Sequence, residues 1–574
     1  MNGAEAIIDF LLRKGVKHAF GYPGGPVIVL FDAIHKFHFP SILTRHEQGA
    51  AHAAEGYAKA SGLPGVMLAT SGPGATNLVT GLADAYLDSV PVLAITGAVA
   101  RKATGTDAFQ EADITGITQP VTKYNYLVMK ADELLPVLEE AWNLTTEGRP
   151  GPVLVNVPKD ILSSPIGGSV QTIQPYARHR PPRIRTRALS EQVYAAIGKS
   201  QRPLLLAGGG CVIARHGTDD LKAFAESLQI PVATTLMGKG SIAADHPLYL
   251  GNLGMHGTPQ ANTALGNCDL LLAVGTRFSD RIIGDPELFA QQGSGRIIIH
   301  VDIDLAEIGK NIRSDIEIED DAAAFFEEML SARPDTAFSD SWRAWLDQLQ
   351  TIRRRYSQLV QDMYEDTAPL RPQYIVHQVA ERLKGQNPIV VTDVGQHQMF
   401  AAQHYPVESP RSFITSGGLG TMGFGLPAAI GASVSDPERT TVLFCGDGGF
   451  QMTIQELGTL AKLQLPVKIL IFDNSCLGMV RQWQELFFDK RYSNTLLDNN
   501  PDFVAIGQAY GIPGGRAGDG ASLTAELEKA LAVPGPYLIH CAVDPEMNVY
   551  PMIPAGKMPQ DLIMPGMDEP ERQG

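Results

Sequence analysis

The sequence predicts an α/β fold built from doubly wound parallel sheets. Short apolar runs alternate with helical patterns along nearly the whole chain, as in α/β proteins. Most of these runs stop at polar or glycine-rich loops, where open parallel sheets place their ligands. One stretch, 441–474, reads as a complete βαβ unit. It holds an apolar run (441–445), a helical pattern through Ile454, Leu457, Leu460 and Ala461, and a second apolar run (467–472). At 574 residues the chain exceeds what one core supports, so three or four domains are expected.

A formal charge of −16 has the wrong sign for a nucleic-acid or anionic-membrane partner. The five cysteines (Cys211, Cys268, Cys445, Cys476, Cys541) form no CxxC pair, which fits a reducing compartment and neither a disulfide frame nor a zinc site. A helical pattern (Ala6, Ile7, Phe10, Leu11) begins without a targeting segment, and no apolar run has membrane-spanning length. A cytoplasmic protein is expected.

Taken in order, residues 1–163 form a first α/β domain, with strands at 16–20, 42–44, 66–69, 92–95 and 153–157. They end respectively at Gly21-Tyr22-Pro23-Gly24-Gly25, Arg45-His46-Glu47-Gln48, the glycine turn 70–77, Thr96-Gly97 and Pro158-Lys159-Asp160. Residues 164–189 are a Pro/Arg-rich linker. A middle domain, 190–335, has polar strand ends at Gly208-Gly209-Gly210, 234–238, 253–257, 275–281 and Val301-Asp302, the arrangement of a nucleotide site. Residues 336–370 are a charged helical connector, 371–545 a last domain, and 546–574 a Pro/Met-rich tail expected to act as a flap or lack order.

The last domain carries the sharpest chemistry. Gly446-Asp447-Gly448-Gly449 ends one strand of the βαβ unit and Asp473-Asn474 ends the next, 27 residues after Asp447. Adjacent strand ends bring both oxygen-bearing side chains to one edge, a setting for Mg²⁺ held by carboxylate and phosphate oxygens. Glycines let backbone N–H groups approach those phosphates. Either turn alone reads as an ordinary strand end. Glu47, in the first domain, reads on its own as a helix-start glutamate favoured by the macrodipole.

The pair GDG…Asn resembles the thiamine diphosphate (ThDP) motif, and FGYPGG, RHEQGAAHAAEGYA, TSGPGATN, GTDAFQE, GRPGPVLVNVPKD, LGMHGT, RFSDR, DVGQHQM, GLGTMGFGLPAA, GDGGF and LGMVRQW extend the likeness over about residues 3–560. The chain resembles the catalytic subunits of the acetohydroxyacid synthase (acetolactate synthase) family. The resemblance implies three doubly wound parallel-sheet domains of the ThDP enzyme type. It implies Mg²⁺ on Asp447, Asn474 and the Cys476 carbonyl, and ThDP against Pro73, Asn77, Val394, Gly395, Gln396, His397, Gly420, Met422, Gly448, Gly449 and Gly478. Met422 would hold the cofactor bent.

Glu47 would share a proton with N1′ of the aminopyrimidine, which needs a carboxyl group at that place. FAD is implied in the middle domain, near Arg149, Gly208, Gly209, Gly210, Thr235, Leu236, Met237, Met255, His256, Gly275, Arg277, Asp302 and Asp321. Arg281 would take the carboxylate of a second 2-keto acid, a match for its guanidinium fork. Trp483 would pack on that acid's alkyl group, and Phe109, Gln110 and Lys159 would line the channel.

The implied reaction decarboxylates pyruvate and joins the two-carbon unit to pyruvate or 2-ketobutyrate, the first common step of branched-chain amino acid biosynthesis. The implied assembly is a homodimer or dimer of dimers, each site pairing Glu47 of one subunit with Asp447 of another, with a regulatory small subunit as a further partner. Departures from the family pattern include Pro26 after YPGG, Cys476 where His is frequent, and Glu319-Asp320-Asp321 near the adenine end of the FAD site. The alternatives are another ThDP-dependent decarboxylase or carboligase, or a flavin-dependent oxidoreductase, which leaves Glu47, Asp447 and Asn474 without a role.

Overall fold

The computed structural model describes residues 1–166, 187–292, 295–334 and 342–565. Most of the expected linker, the start of the connector and the end of the tail lie outside the described residues. The described chain folds into three six-stranded sheets. In the first, β1 (Ala19–Gly21), β2 (Ser41–Leu43), β3 (Gly65–Ala69), β4 (Val92–Ala98), β5 (Tyr124–Leu127) and β6 (Pro152–Pro158) lie in the order β2-β1-β3-β4-β6-β5, all parallel. The last sheet repeats that order. Its strands β13 (Ile389–Thr392), β14 (Phe413–Ile414), β15 (Thr441–Gly446), β16 (Val467–Asp473), β17 (Gly514–Ala517) and β18 (Tyr537–Ala542) run β14-β13-β15-β16-β18-β17, again parallel.

The middle sheet differs. Its strands β7 (Pro203–Ala207), β8 (Val232–Thr234), β9 (Tyr249–Asn252), β10 (Leu270–Val274), β11 (Ile297–Asp302) and β12 (Ile316–Glu319) are parallel in the order β12-β11-β10-β7-β8-β9. Read from β9, this is the 3-2-1-4-5-6 order of dinucleotide-binding sheets, whose ligand crevice opens where the order reverses, here between β7 and β10. The central strands β3, β7, β10 and β15 are buried throughout, as parallel strands covered by helices on both faces must be.

The first and last domains share one core. Helix Glu47–Ser61 lies against helix Gly425–Ser435, both rich in alanine and glycine. A Cβ on Gly56 would collide with the Ala428 carbonyl, and one on Gly431 with the Ala53 carbonyl. Only glycine permits this backbone approach. Ala50, Ala54, Ala428, Ala432 and Leu443 consequently belong to one continuous apolar cluster.

Several sequence expectations shift. The first strand begins at Ala19, not 16, because Gly15 (φ +74°) ends helix Gly3–Arg13 and the Val16 N–H still bonds back to the Leu11 carbonyl at 3.0 Å. The edge strands β5 and β17 carry exposed or half-buried residues and little apolar signal. A helix begins at Arg187, inside the expected linker, and the connector is helix Arg343–Gln361. The described part of the tail, up to residue 565, lies on the protein. Met552 pairs with Ile563, and the Ile553 N–H bonds to the Met255 carbonyl at 2.7 Å. Among the described residues, no helix is long and apolar enough to cross a membrane.

Candidate active site

Asp447 sits where β15 ends, and helix Asp447–Met452 starts at that residue, so the GDGG segment is a helix N-terminus and not a free turn. This places backbone N–H groups and the positive end of a helix at the mouth of a cavity, an anion-binding arrangement. The cavity is lined by Val394, Gly395, Gln396, His397, Met422, Asp447, Gly448, Gly449, Asn474, Cys476 and Gly478, with Leu477, Met479 and Val480 beside them. The structure thus brings most of the implied diphosphate and metal residues to one place.

The donor set fits a divalent cation with a diphosphate. Asp447 offers a carboxylate and Asn474 an amide oxygen, both hard ligands. His397 Nε2 is buried without a partner and lines the cavity. A Cβ on Gly449 would strike Asp393, and one on Gly478 would strike Gln396 and Asn474, so these glycines keep the cradle open. Burial pushes the Asp447 carboxyl up to about 7, a cost that a bound cation would remove.

Two neighbours extend the site, and of these only Asn500 carries no sequence signal. Asn500 donates to Asp447 Oδ2 at 2.7 Å and to Asp473 Oδ1 at 3.0 Å, holding two carboxylates beside each other. Gln396 accepts from Asn474 at 3.2 Å and donates to Gln482 at 3.0 Å and the Met547 carbonyl at 3.3 Å, tying the cavity to the tail.

Every residue lining this cavity lies between Pro372 and Val543, so Glu47 of the same chain is not among them. Glu47 opens its own helix behind the N-cap His46, whose Nδ1 accepts from the Gln48 N–H at 3.1 Å. Asn77 Nδ2 donates to Glu47 Oε2 at 3.0 Å, and Oε1 faces Gly74, next to Pro73. Glu47, Pro73 and Asn77 therefore lie together in the first domain.

Between the two domains lies a second set of buried acids. His52 Nδ1 is 2.8 Å from Glu55 Oε1 and 4.0 Å from Asp84 Oδ2, all fully buried. Glu55 Oε2 and Asp84 Oδ2 have no hydrogen-bond partner. Burial pushes Asp84 up to about 8 and Glu55 well above its ordinary range, and lowers His52 to about 4. Asp84 Oδ1 accepts from Ser416 Oγ at 2.7 Å, and Ser416 Oγ accepts from the Gly420 and Thr421 N–H groups at 3.1 and 2.9 Å. Asp88 accepts from the Gly417 and Gly418 N–H groups, and Asp393 from those of Gly423 and Gly425. The loop that presents Met422 is thus gripped at both ends.

In the middle domain the Gly208 N–H bonds to the Val274 carbonyl and the Gly210 N–H to that of Gly275, closing β7 onto β10 at the reversal point. Gly209 faces Met237, which follows Thr235 and Leu236. Arg277 is half-buried beside Gly418 and makes no ion pair among the described residues. Thr276 Oγ1 and His256 Nδ1 are buried and unpartnered. An unpaired guanidinium and orphaned donors at a dinucleotide crevice fit a flavin nucleotide. Arg149 reaches the domain through Glu307 (2.6 Å) and Asp304 (3.4 Å), and Asp302 ends β11 with its carboxyl pushed up to about 6 by burial. Asp321 is already committed: its Oδ1 caps helix Ala322–Ser331, accepting from Ala323 and Ala324.

Arg281 and Trp483, 202 residues apart in a chain of three sheets, meet: the guanidinium carbon lies 5.7 Å from the indole centroid. Arg281 also reaches Met255 Sδ at 3.1 Å. Phe109 is 90% exposed, Lys159 is exposed, and Gln110 sits at φ +64° against Gly72, all on the first domain. Among the described residues no hydrogen bond, ion pair or ring contact joins them to Arg281 or Trp483.

Three family models match in order along the chain: the N-terminal TPP-binding domain of thiamine pyrophosphate enzymes over residues 1–117, the central domain over 190–329 and the C-terminal TPP-binding domain over 393–541. Among curated proteins the chain is 44% identical to a probable acetolactate synthase large subunit of Methanocaldococcus jannaschii, covering 100% of this chain and 96% of the relative. It is equally 44% identical to the acetolactate synthase isozyme 2 large subunit of Escherichia coli (98% and 99% covered) and to acetolactate synthase 1, chloroplastic, of Oryza sativa (98% and 88%). The chain belongs to the acetolactate synthase large-subunit family of thiamine pyrophosphate enzymes.

Proposed function

We propose that this chain decarboxylates pyruvate and joins the remaining two-carbon unit to a second 2-keto acid. Pyruvate as acceptor gives 2-acetolactate, and 2-ketobutyrate gives 2-aceto-2-hydroxybutyrate, in the first common step of branched-chain amino acid biosynthesis. The observation that carries the reading is the cavity in which Asp447, Asn474 and the N-terminus of helix Asp447–Met452 converge, in a chain related over its full length to acetolactate synthases.

ThDP, when bound, supplies the electron sink for loss of CO₂. Asp447, Asn474 and the Cys476 carbonyl would hold Mg²⁺, and the N-terminus of helix Asp447–Met452 would face the diphosphate charge. Met422 supports the cofactor from the loop held by Asp84, Asp88 and Asp393. Glu47 holds a proton at Oε1 while Asn77 fixes Oε2.

Because Glu47 lies outside the Asp447 cavity of its own chain, the reading requires a homodimer whose sites pair the first domain of one subunit with the last of the other. Exposed Phe109 and Lys159 then meet Arg281 and Trp483 across that interface. Arg281 takes the acceptor's carboxylate, and Trp483 covers its alkyl group. Two pyruvates give one acetolactate and one CO₂ with no electron acceptor, so FAD in the middle crevice serves structure and not redox turnover. A small regulatory subunit is the further partner, since the relatives are called large subunits.

Product analysis tests the reading. Purified protein with ThDP, Mg²⁺ and pyruvate is expected to release CO₂ and form acetolactate, and to form 2-aceto-2-hydroxybutyrate when 2-ketobutyrate is added. Acetaldehyde as the sole product, or turnover only with an added electron acceptor, contradicts it.

A further inference from the structure

Outside the active site, a cavity of about 240 Å³ opens where the middle domain, helix Arg343–Gln361 and helix Gln396–His404 meet. At about 30 Å³ per water it has room for roughly eight waters, the bulk of a small organic acid. Its walls are unusual for a chain of net charge −16, because no Asp or Glu lines it. Lys239, 7% exposed, points its ammonium here. Among the described residues it makes one hydrogen bond, to the Ala402 carbonyl at 3.0 Å, and no ion pair, and it lies 5.6 Å from the Phe413 ring centroid. Arg353 is half-buried on the same wall and has no ion pair among the described residues.

Polar atoms without partners complete the lining. Tyr356 Oη and His404 Nε2 are buried donors without partners, whereas the unpartnered Gln260 Oε1 is an acceptor that an oxyanion does not satisfy. His404 Nδ1 is held by Tyr364 Oη at 3.1 Å, which fixes the direction of the free Nε2. A buried ammonium with no counter-ion is costly, and so is each orphaned donor. Both costs vanish if an oxyanion occupies the cavity.

We propose that this cavity is a binding site for a small oxyanion, a carboxylate or a phosphate, held by Lys239 and Arg353 with Tyr356 donating to it. The site is separate from the diphosphate cavity, although one helix serves both: Gln396 and His397 line the first, Ala402 to His404 the second. Burial lowers Lys239 to about 8, so the amine remains mostly protonated at neutral pH and able to take an anion.

The test is calorimetric titration of the holoenzyme, saturated with ThDP and Mg²⁺ so that the diphosphate cavity is filled, with inorganic phosphate and separately with malonate. At least one is expected to bind once per chain with a dissociation constant below about 1 mM. The stronger of the two identifies phosphate or carboxylate as the source. Lys239→Met and Arg353→Gln are each expected to weaken that binding by about ten-fold or more. Lys239→Met is also expected to raise the unfolding temperature in anion-free buffer, since it removes an uncompensated buried charge. Absence of binding by both anions, or binding unchanged in both variants, overturns the proposal. A lower unfolding temperature for Lys239→Met with unchanged binding would likewise overturn it, making the lysine a packing residue.

Discussion

Glu456 Oε1 accepts hydrogen bonds from the backbone N–H groups of Arg45 and His46, at 2.9 and 3.0 Å, across 411 and 410 residues of sequence. A fully buried carboxylate of the last domain thus fixes the two residues just before Glu47. The acid assigned to proton sharing is positioned by the other cofactor-binding domain of its own chain. In a dimer that domain would serve the opposite site.

Glu456→Ala leaves the Arg45 and His46 N–H groups, both on half-buried residues, without their acceptor, a loss of about 1–3 kcal/mol each at most. The variant is expected to unfold at lower temperature and to lose turnover beyond that loss, measured well below its melting point. Glu456→Gln keeps the accepting oxygen and should retain most activity. Equal activity in both variants would show that the contact does not position Glu47.

The Asp84–Ser416 bond leads to a pH prediction. Asp84, pushed up to about 8, keeps its proton in the folded state, while the unfolded chain releases it near pH 4. The folded state therefore binds more protons, and stability falls as pH rises toward 8. His52, lowered to about 4, acts in the opposite sense, but only below its ordinary 6.5. Between about pH 7 and 8 the unfolded histidines have mostly released their protons, and the raised acids Asp84, Glu55 and Asp447 set the sign of the slope. Denaturant titrations should show stability declining there, and Asp84→Asn should flatten the decline while preserving an acceptor for Ser416. An unchanged slope in the variant argues against the buried proton.

Asn500 predicts a metal phenotype. It holds Asp447 and Asp473 together, and outer partners of a metal ligand commonly matter about 10–100-fold in affinity. Asn500→Ala is expected to raise the Mg²⁺ concentration for half-maximal activity at least about ten-fold, with turnover recovering at saturating metal. Chelation should silence both forms reversibly. A variant with unaltered Mg²⁺ dependence removes Asn500 from the site.

Trp483→Leu opens space beside Arg281 and should lower the ratio of 2-aceto-2-hydroxybutyrate to acetolactate formed from mixed keto acids. One methylene in such a pocket is worth about 1–3 kcal/mol, so the ratio should move several-fold while acetolactate formation persists. An unchanged ratio would free the indole from any part in acceptor choice.

What could be read in the sequence was local. Asp447 and Asn474 were legible because adjacent strand ends of a βαβ unit must lie side by side, and Glu47 because it opens a helix inside a long motif. The reading of GDGG as a turn missed that the helix begins at Asp447 itself, since a glycine pair gives little helical signal. Glu456, Asn500, Asp84 and Ser416 were not legible. Each acts through a partner distant in sequence, and each reads alone as an ordinary polar residue. The meeting of Arg281 with Trp483 depends on how two domains pack, which no spacing within either motif specifies. The Pro/Met-rich tail reads as a flap or a segment without order, and in its described part a backbone bond to Met255 and a bond from the Val549 N–H to Gln482 hold it on the protein.

H/D exchange at C2 of ThDP measures whether Glu47 drives ionisation of a cofactor bound at the Asp447 cavity, comparing the wild-type chain with Glu47→Gln, each saturated with ThDP and Mg²⁺. The variant is expected to bind the cofactor yet exchange about 100-fold or more slowly, the scale of a lost acid–base group. Exchange at near wild-type rate in a cofactor-loaded Glu47→Gln enzyme would contradict this role of Glu47.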